Sequence, residues 1–183
     1  MPNFILLAQL SYQNFNVLLM KKILRLLDKL SFTKLAFVFS LTLLLLSLLF
    51  STIYYLLDVD VMVNTEFENL TTTKLLLLAV FFAPIIESLI YQYGIIELGL
   101  FVRVKLDSIP IPSYMPGLMS AVLFGISHQY NWNYVLITSL MGLCLASVYY
   151  YTRKRFGVSL AFVMCVIVHG VNNLVAFLGQ ILS

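Results

Sequence analysis

"LAFVFSLTLLLLSLLFSTIYYLL", Leu35 to Leu57, contains no charged side chain. At a helical rise of 1.5 Å per residue it is long enough to cross about 30 Å of hydrocarbon. The rest of the chain agrees with it. Of 183 residues, 61% are hydrophobic and 10% charged, and the mean hydropathy is +0.97. A soluble domain carries about a quarter charged residues, so this chain cannot cover a water-facing surface and the bilayer must be its solvent. The formal net charge is only +3. Its basic residues stand in short clusters beside apolar runs, which is how membrane flanks look and argues against nucleic acid as a partner.

On the N-terminal side lies "VLLMKKILRLLDKL" (17–30). Met20, Ile23, Leu27 and Leu30 fall on one helical side, and Lys22, Arg25, Asp28 and Lys29 on the other. A basic amphipathic helix of this kind lies in the headgroup region. The order of charged, apolar and small residues that marks a signal peptide is absent, so an unprocessed chain is expected. Residues 1–16 carry no pattern that places them.

On the C-terminal side comes a polar, acidic connection, "DVDVMVNTEFENLTTT". Four further spans follow, at Leu75–Ile96, Ser113–Asn131 (the weakest), Trp132–Thr152 and Phe156–Leu182. The expected fold is all-α: a polytopic membrane protein of about five transmembrane helices with an N-terminal interfacial helix. Residues 1–33 form the N-terminal segment and 34–183 a single membrane domain without repeats. With a cytoplasmic N-terminus, Lys21, Lys22, Arg25, Lys29, Lys34, Arg103, Lys105, Arg153, Lys154 and Arg155 all fall inside. Lys74 then lies outside with Asp58, Asp60, Glu66 and Glu68. That partition predicts a multi-pass protein of a bacterial cell membrane, N-terminus in and C-terminus out.

Within the spans the ionisable groups, apart from thiols and phenols, are Glu87, His128 and His169, the last two being the only histidines. A carboxylate at a helix centre costs about 2.5–3.5 kcal/mol even on lenient insertion scales, so such groups point to function. Measured from inner ends near Glu97, Pro116 and Gly157, they lie ten, twelve and twelve residues up, or about 15 and 18 Å. Three helices thus bring one ionisable group each to a similar level. His169 and Asn173 are four apart and share a helix face, as do Phe124 and His128. Pro84 removes a backbone hydrogen bond three residues before Glu87. Cys144 and Cys165 lie in apolar runs with no metal-site spacing and read as structural.

A carboxylate and two imidazoles are the minimum for metal-assisted hydrolysis. Zinc in a catalytic site takes about three protein ligands and leaves one position for water, whose proton a nearby glutamate can take. The single-helix string HExxH is absent, so the ligands would have to converge from separate helices. Without a metal, Glu87 and a histidine could still activate water by acid–base chemistry. Interhelical hydrogen bonding alone is the bland alternative. A proton path is the other, although the paired repeats of transporters are missing.

The order "APIIESLIYQ", "FGISH", "HGVNN" resembles the CPBP intramembrane proteases, the CAAX-protease and bacteriocin-processing (Abi) group. Their pattern is EExxxR, FxxxH and HxxxN or HxxxD on successive membrane helices. FxxxH and HxxxN are weak strings singly; the three in order, behind an Ala-Pro, carry the resemblance over about residues 74–180. It implies a membrane endopeptidase in which Glu87 activates water, with His128, His169 and Asn173 at the catalytic or metal-binding positions. It also implies a divalent metal, zinc, and a membrane-associated protein or peptide as substrate, cleaved near the cytoplasmic side of the bilayer. Two positions depart from the pattern. Ser88 stands where the family has its second glutamate and Gln92 where it has arginine. Losing both charges avoids the penalty of about 3–5 kcal/mol for stranding one, and a Ser88–Gln92 hydrogen bond is expected in place of the ion pair. The same departures support the other reading, a catalytically degenerate member acting as a membrane scaffold, regulator or bacteriocin-immunity protein.

Overall fold

A computed structural model of the chain describes residues 17–56, 70–106, 110–129 and 131–182. Most of the acidic connection after the first span lies outside the described residues. The chain divides into two compact units, Met1–Phe37 and Val38–Ser183. The first holds α1 (17–27) and the opening of α2 (Phe32–Leu56). Ser31 caps α2, its carbonyl accepting from Leu35 N at 2.9 Å.

In the second unit α2 is followed by α3 (Thr72–Lys105), α4 (Met115–Ile126), α5 (Trp132–Phe156) and α6 (Val158–Leu182). The described residues contain no strand. The helices α2, α3, α5 and α6 are long and apolar enough to cross a membrane, and α4 is a shorter apolar helix. The fold is a polytopic helical membrane protein. The weak span expected over 113–131 shrinks to twelve helical residues. Proline at its start and the turn at 127–129 bound it. Asn131 then caps α5, its side chain accepting from Tyr134 N at 2.8 Å.

Point contacts fix the direction of each helix. Between α4 and α5, a Cβ on Gly117 would meet Tyr150 and Ala146, one on Gly142 would meet Ala121, and one on Gly125 would meet Ser139 and Val135. The two helices therefore run antiparallel. Tyr93 packs against Phe162 edge-on at 6.3 Å and Asn173 bonds Ala79, so α3 and α6 are antiparallel too. Along α2, Phe39 meets Tyr151, Ser47 meets Met141 and the Tyr54 hydroxyl reaches the Asn133 carbonyl. The chain thus alternates direction from α2 to α6.

Gly117, Ala121 and Gly125, spaced by four, place a strip of small residues on one face of α4, and Gly142 and Ala146 do the same on α5. Lipid tails are as apolar as leucine, so helices associate here through close van der Waals approach, which small residues permit. The outward faces, among them Leu41, Leu45, Leu48, Phe81, Ile86 and Leu89, are exposed and belong to the lipid. One residue joins α5 to α6: Gly157, whose φ of 90° is a conformation L side chains rarely adopt. Its N–H closes α5 on Arg153 O at 3.0 Å.

At that same end Arg153 grips the Glu97 carboxylate in two places, with Nη2 to Oε2 at 2.9 Å, and the Tyr149 hydroxyl adds a bond at 2.8 Å. The pair is too exposed for its Coulomb energy to contribute much, but it sets the register of α3 against α5.

Candidate functional site

The third helix carries the reason for the site's shape. Pro84 has no N–H, and around it α3 is wound wider, with π-helical turns over Leu77–Phe82 and Ser88–Ile95. Ala83 N bonds back five residues to Leu78 O. In that winding the donor for Ala79 O would be residue 84, which has none. The orphaned carbonyl is taken by Asn173 Nδ2 of α6 at 2.8 Å. Gly170, one turn before Asn173, permits the approach, since a Cβ there would stand 3.1 Å from Val80 O. Wide turns of this kind recur at functional sites.

Asn173 is therefore an anchor between α6 and α3, with one of its two amide hydrogens committed. An interhelical hydrogen bond in a bilayer averages about 0.6 kcal/mol, but stranding a carbonyl away from water costs about 1–3 kcal/mol, and this one is half-buried. The second figure governs a deletion. Asn173→Leu is expected to lower stability by about that 1–3 kcal/mol, read as a fall in thermal midpoint of the purified protein in detergent. An unchanged midpoint would remove the bond as an anchor.

The winding brings Glu87 to face two imidazoles. Glu87 Oε2 lies 3.7 Å from His128 Nε2 and 3.6 Å from His169 Nε2. His128 sits in the turn beyond α4, where helix ends leave carbonyls free. Its Nδ1 lies 2.7 Å from Phe124 O, so Nδ1 donates to that carbonyl and Nε2 is turned toward Glu87. Phe124 also lies tilted against the His128 ring at 4.7 Å and meets the His169 ring edge-on at 5.6 Å. One aromatic ring thus spaces both imidazoles. Glu87 and His128 remain about one-fifth exposed, whereas His169 is nearly enclosed.

These groups line a cavity of about 470 Å³ shared by α2, α3, α4, α5 and α6, with Asn172 and Asn173 beside His169 and apolar walls that include Phe50, Tyr134 and Phe177. Sequence reasoning gave Asn172 no part, because it matches no motif position. Its Oδ1 accepts from Ser47 Oγ of α2 at 2.7 Å, so α2 closes one side of the cavity. No signal in its leucine-rich run singles Ser47 out.

Ser88 and Gln92 do not line the cavity. Both are fully buried, and the hydrogen bond expected between them is not formed: Ser88 Oγ and both Gln92 amide atoms have no partner. The expectation assumed α-helical stacking of residues four apart, whereas this segment is π-helical.

Does the donor set suit a metal? The two imidazole nitrogens of His128 and His169 suit zinc in kind, and the amide oxygen of Asn173 is the further donor at hand. Yet among the described residues no three His, Cys, Asp or Glu side chains form a ready-made metal site. The residues fit the group chemically and would have to close in on it.

The model of the type II CAAX prenyl endopeptidase Rce1-like family matches residues 69–175, more than half of the chain. The chain belongs to this family. No curated protein and no solved structure matches it. The region matched by the CAAX endopeptidase family contains Glu87, His128, His169 and Asn173 and leaves out α2, so the Ser47 wall of the cavity lies beyond it.

Proposed function

We propose that this CAAX-family protein is an intramembrane endopeptidase that cleaves a membrane-associated protein or peptide by glutamate-activated water, with zinc as its metal. The observation that carries the reading is the position of Glu87 Oε2, 3.6 and 3.7 Å from two imidazole nitrogens, in a cavity deep among apolar helices. A carboxylate at that level costs several kcal/mol to place and makes no hydrogen bond through Oε2, so packing alone does not account for it.

Glu87 takes a proton from water as its oxygen attacks the peptide carbonyl carbon. It then delivers that proton to the amide nitrogen as the carbon–nitrogen bond breaks, leaving a carboxylic acid and an amine. His128, with Nδ1 held by Phe124, directs Nε2 to the reacting centre, and His169 Nε2 does so from the opposite helix. Both are placed to hold the ion or to support charge on the carbonyl oxygen; Asn173 Oδ1 is the further ligand candidate. A bound zinc would lower the pKa of water and polarise the carbonyl. Ser88 and Gln92 lie away from the cavity, which favours activity over the scaffold reading.

In the bilayer the chain is a multi-pass protein with its N-terminus cytoplasmic and its C-terminus outside, a reading that the basic ends support. The test is metal analysis of the purified protein together with assay on membrane-anchored peptides. We expect bound zinc, lost in His128→Ala and His169→Ala, and cleavage abolished by a chelator and restored by zinc. Cleavage indifferent to chelator would leave glutamate–histidine catalysis and remove the metal.

A further inference from the structure

The helix directions and the charge distribution together say which side of the membrane the cavity serves. Arg103 at the end of α3 donates through Nε to Ile111 O at 2.8 Å, the Tyr150 hydroxyl of α5 reaches Ser113 O, and Arg153 grips Glu97. The end of α3, the start of α4, the end of α5 and the start of α6 therefore share one face, which carries Arg103, Lys105, Arg153, Lys154 and Arg155. Lys74, near the start of α3, is at the other face.

The cavity lies toward that other face. On each helix that builds it, the lining residues run from the middle to the end remote from the basic cluster: Leu43 to Tyr54 on α2, Leu75 to Glu87 on α3, Tyr134 to Leu145 on α5, His169 to Gln180 on α6. Toward the basic face the interior is filled. Leu145, Tyr149, Met164, Cys165, Ile96 and Gln92 are at most 1% exposed. Nothing of substrate size could reach Glu87 through that layer, whereas Ser51 and Gln180, at the far end of the lining, are exposed.

We infer that the cavity mouth opens on the non-cytoplasmic side, and that the substrate is a peptide segment presented from that side. The inference rests on the proposed endopeptidase reading for its substrate and on the basic face being cytoplasmic for its direction. It replaces the sequence-based expectation of cleavage near the cytoplasmic side. A soluble cytoplasmic tail cannot serve unless it is first carried across; the reaction supplying the substrate must be translocation or membrane insertion of the segment. The apolar lining suits an extended, apolar peptide.

Thiol labelling tests the mouth without requiring cleavage. In the chain carrying Cys144→Ala, the remaining native thiol, Cys165, is fully buried. Gln180→Cys and Ser51→Cys are placed at the mouth, and Lys154→Cys at the basic face, each treated with a membrane-impermeant maleimide in intact spheroplasts of a bacterial host. We expect both mouth variants to label in intact cells and Lys154→Cys to label only after permeabilisation. The reverse pattern would overturn the inference, and so would mouth positions that fail to label even in permeabilised cells. Peptide added outside sealed right-side-out vesicles is then expected to be cleaved, with inside-out vesicles inactive. Correct labelling without cleavage in either kind of vesicle would count against the endopeptidase reading and leave the direction of the mouth standing. Cleavage only in inside-out vesicles would overturn the direction and leave the endopeptidase intact.

Discussion

Glu87→Gln protein is expected to accumulate and melt as the wild type does, yet to cleave membrane-anchored peptides about 10²–10⁴-fold more slowly, the range for losing a positioned general base. Glutamine keeps the size of the side chain and its place between the imidazoles but cannot take a proton from water. Oε2 makes no hydrogen bond and is buried, so the amide strands no partner, and the neutral group is cheaper to bury than a carboxylate. Loss of stability is thus not the expected outcome; loss of turnover is. Initial rates of wild type and variant at equal protein, with thermal midpoints measured alongside, separate the two. Cleavage that survives at more than a tenth of the wild-type rate would remove Glu87 from the chemistry.

The second large effect comes from a single methyl group. Gly125→Ala would place a Cβ in collision with Ser139 Oγ, at 2.7 Å from Val135 O and 2.8 Å from Ser139 N. The hydroxyl could rotate, but the backbone atoms belong to α5 and cannot yield without moving α4. Overpacking of this kind costs about 1–3 kcal/mol. The displacement is inherited by His128, whose N–H bonds Gly125 O at 2.9 Å. The variant is therefore expected to lose activity by up to about 10²-fold, the effect of a reacting group displaced by about 1 Å, and to show a lowered melting midpoint. Gly179→Ala is the control, since a Cβ there meets nothing within 4 Å. Equal behaviour of the two would show that the close approach of α4 to α5 does not position the histidine.

The membrane character and the long helices were legible because charge is so sparse and so regularly placed. Four apolar runs leave little choice of solvent or secondary structure, and Glu87, His128 and His169 stand out by sheer rarity among leucines. What was not legible depends on backbone winding and on close approach. A rule of stacked residues four apart gave the wrong partner for Ser88 and Gln92, since π-helical turns change which side chains stand above one another. The task of Asn173 at Ala79 follows from the missing N–H of Pro84, visible in the letters only once the winding is known. Ser47 and Asn172 meet across 125 positions of chain, a distance over which no local periodicity can speak. The strip Gly117, Ala121, Gly125 was there to be read, but small residues in an apolar run look like mere filler until a partner helix is set against them.

The shortness of α4 bears on the lipid as well as on the protein. Twelve residues span about 18 Å, whereas the hydrocarbon of a typical bilayer is about 30 Å thick. A segment too short for its membrane is accommodated by local thinning, at a cost of fractions of a kcal/mol per ångström. Beside His128 the headgroups should dip inward, bringing water to a reaction centre that never leaves the membrane. The enzyme's activity would then depend on acyl-chain length, with short-chain lipids sparing it the work of deforming its surroundings.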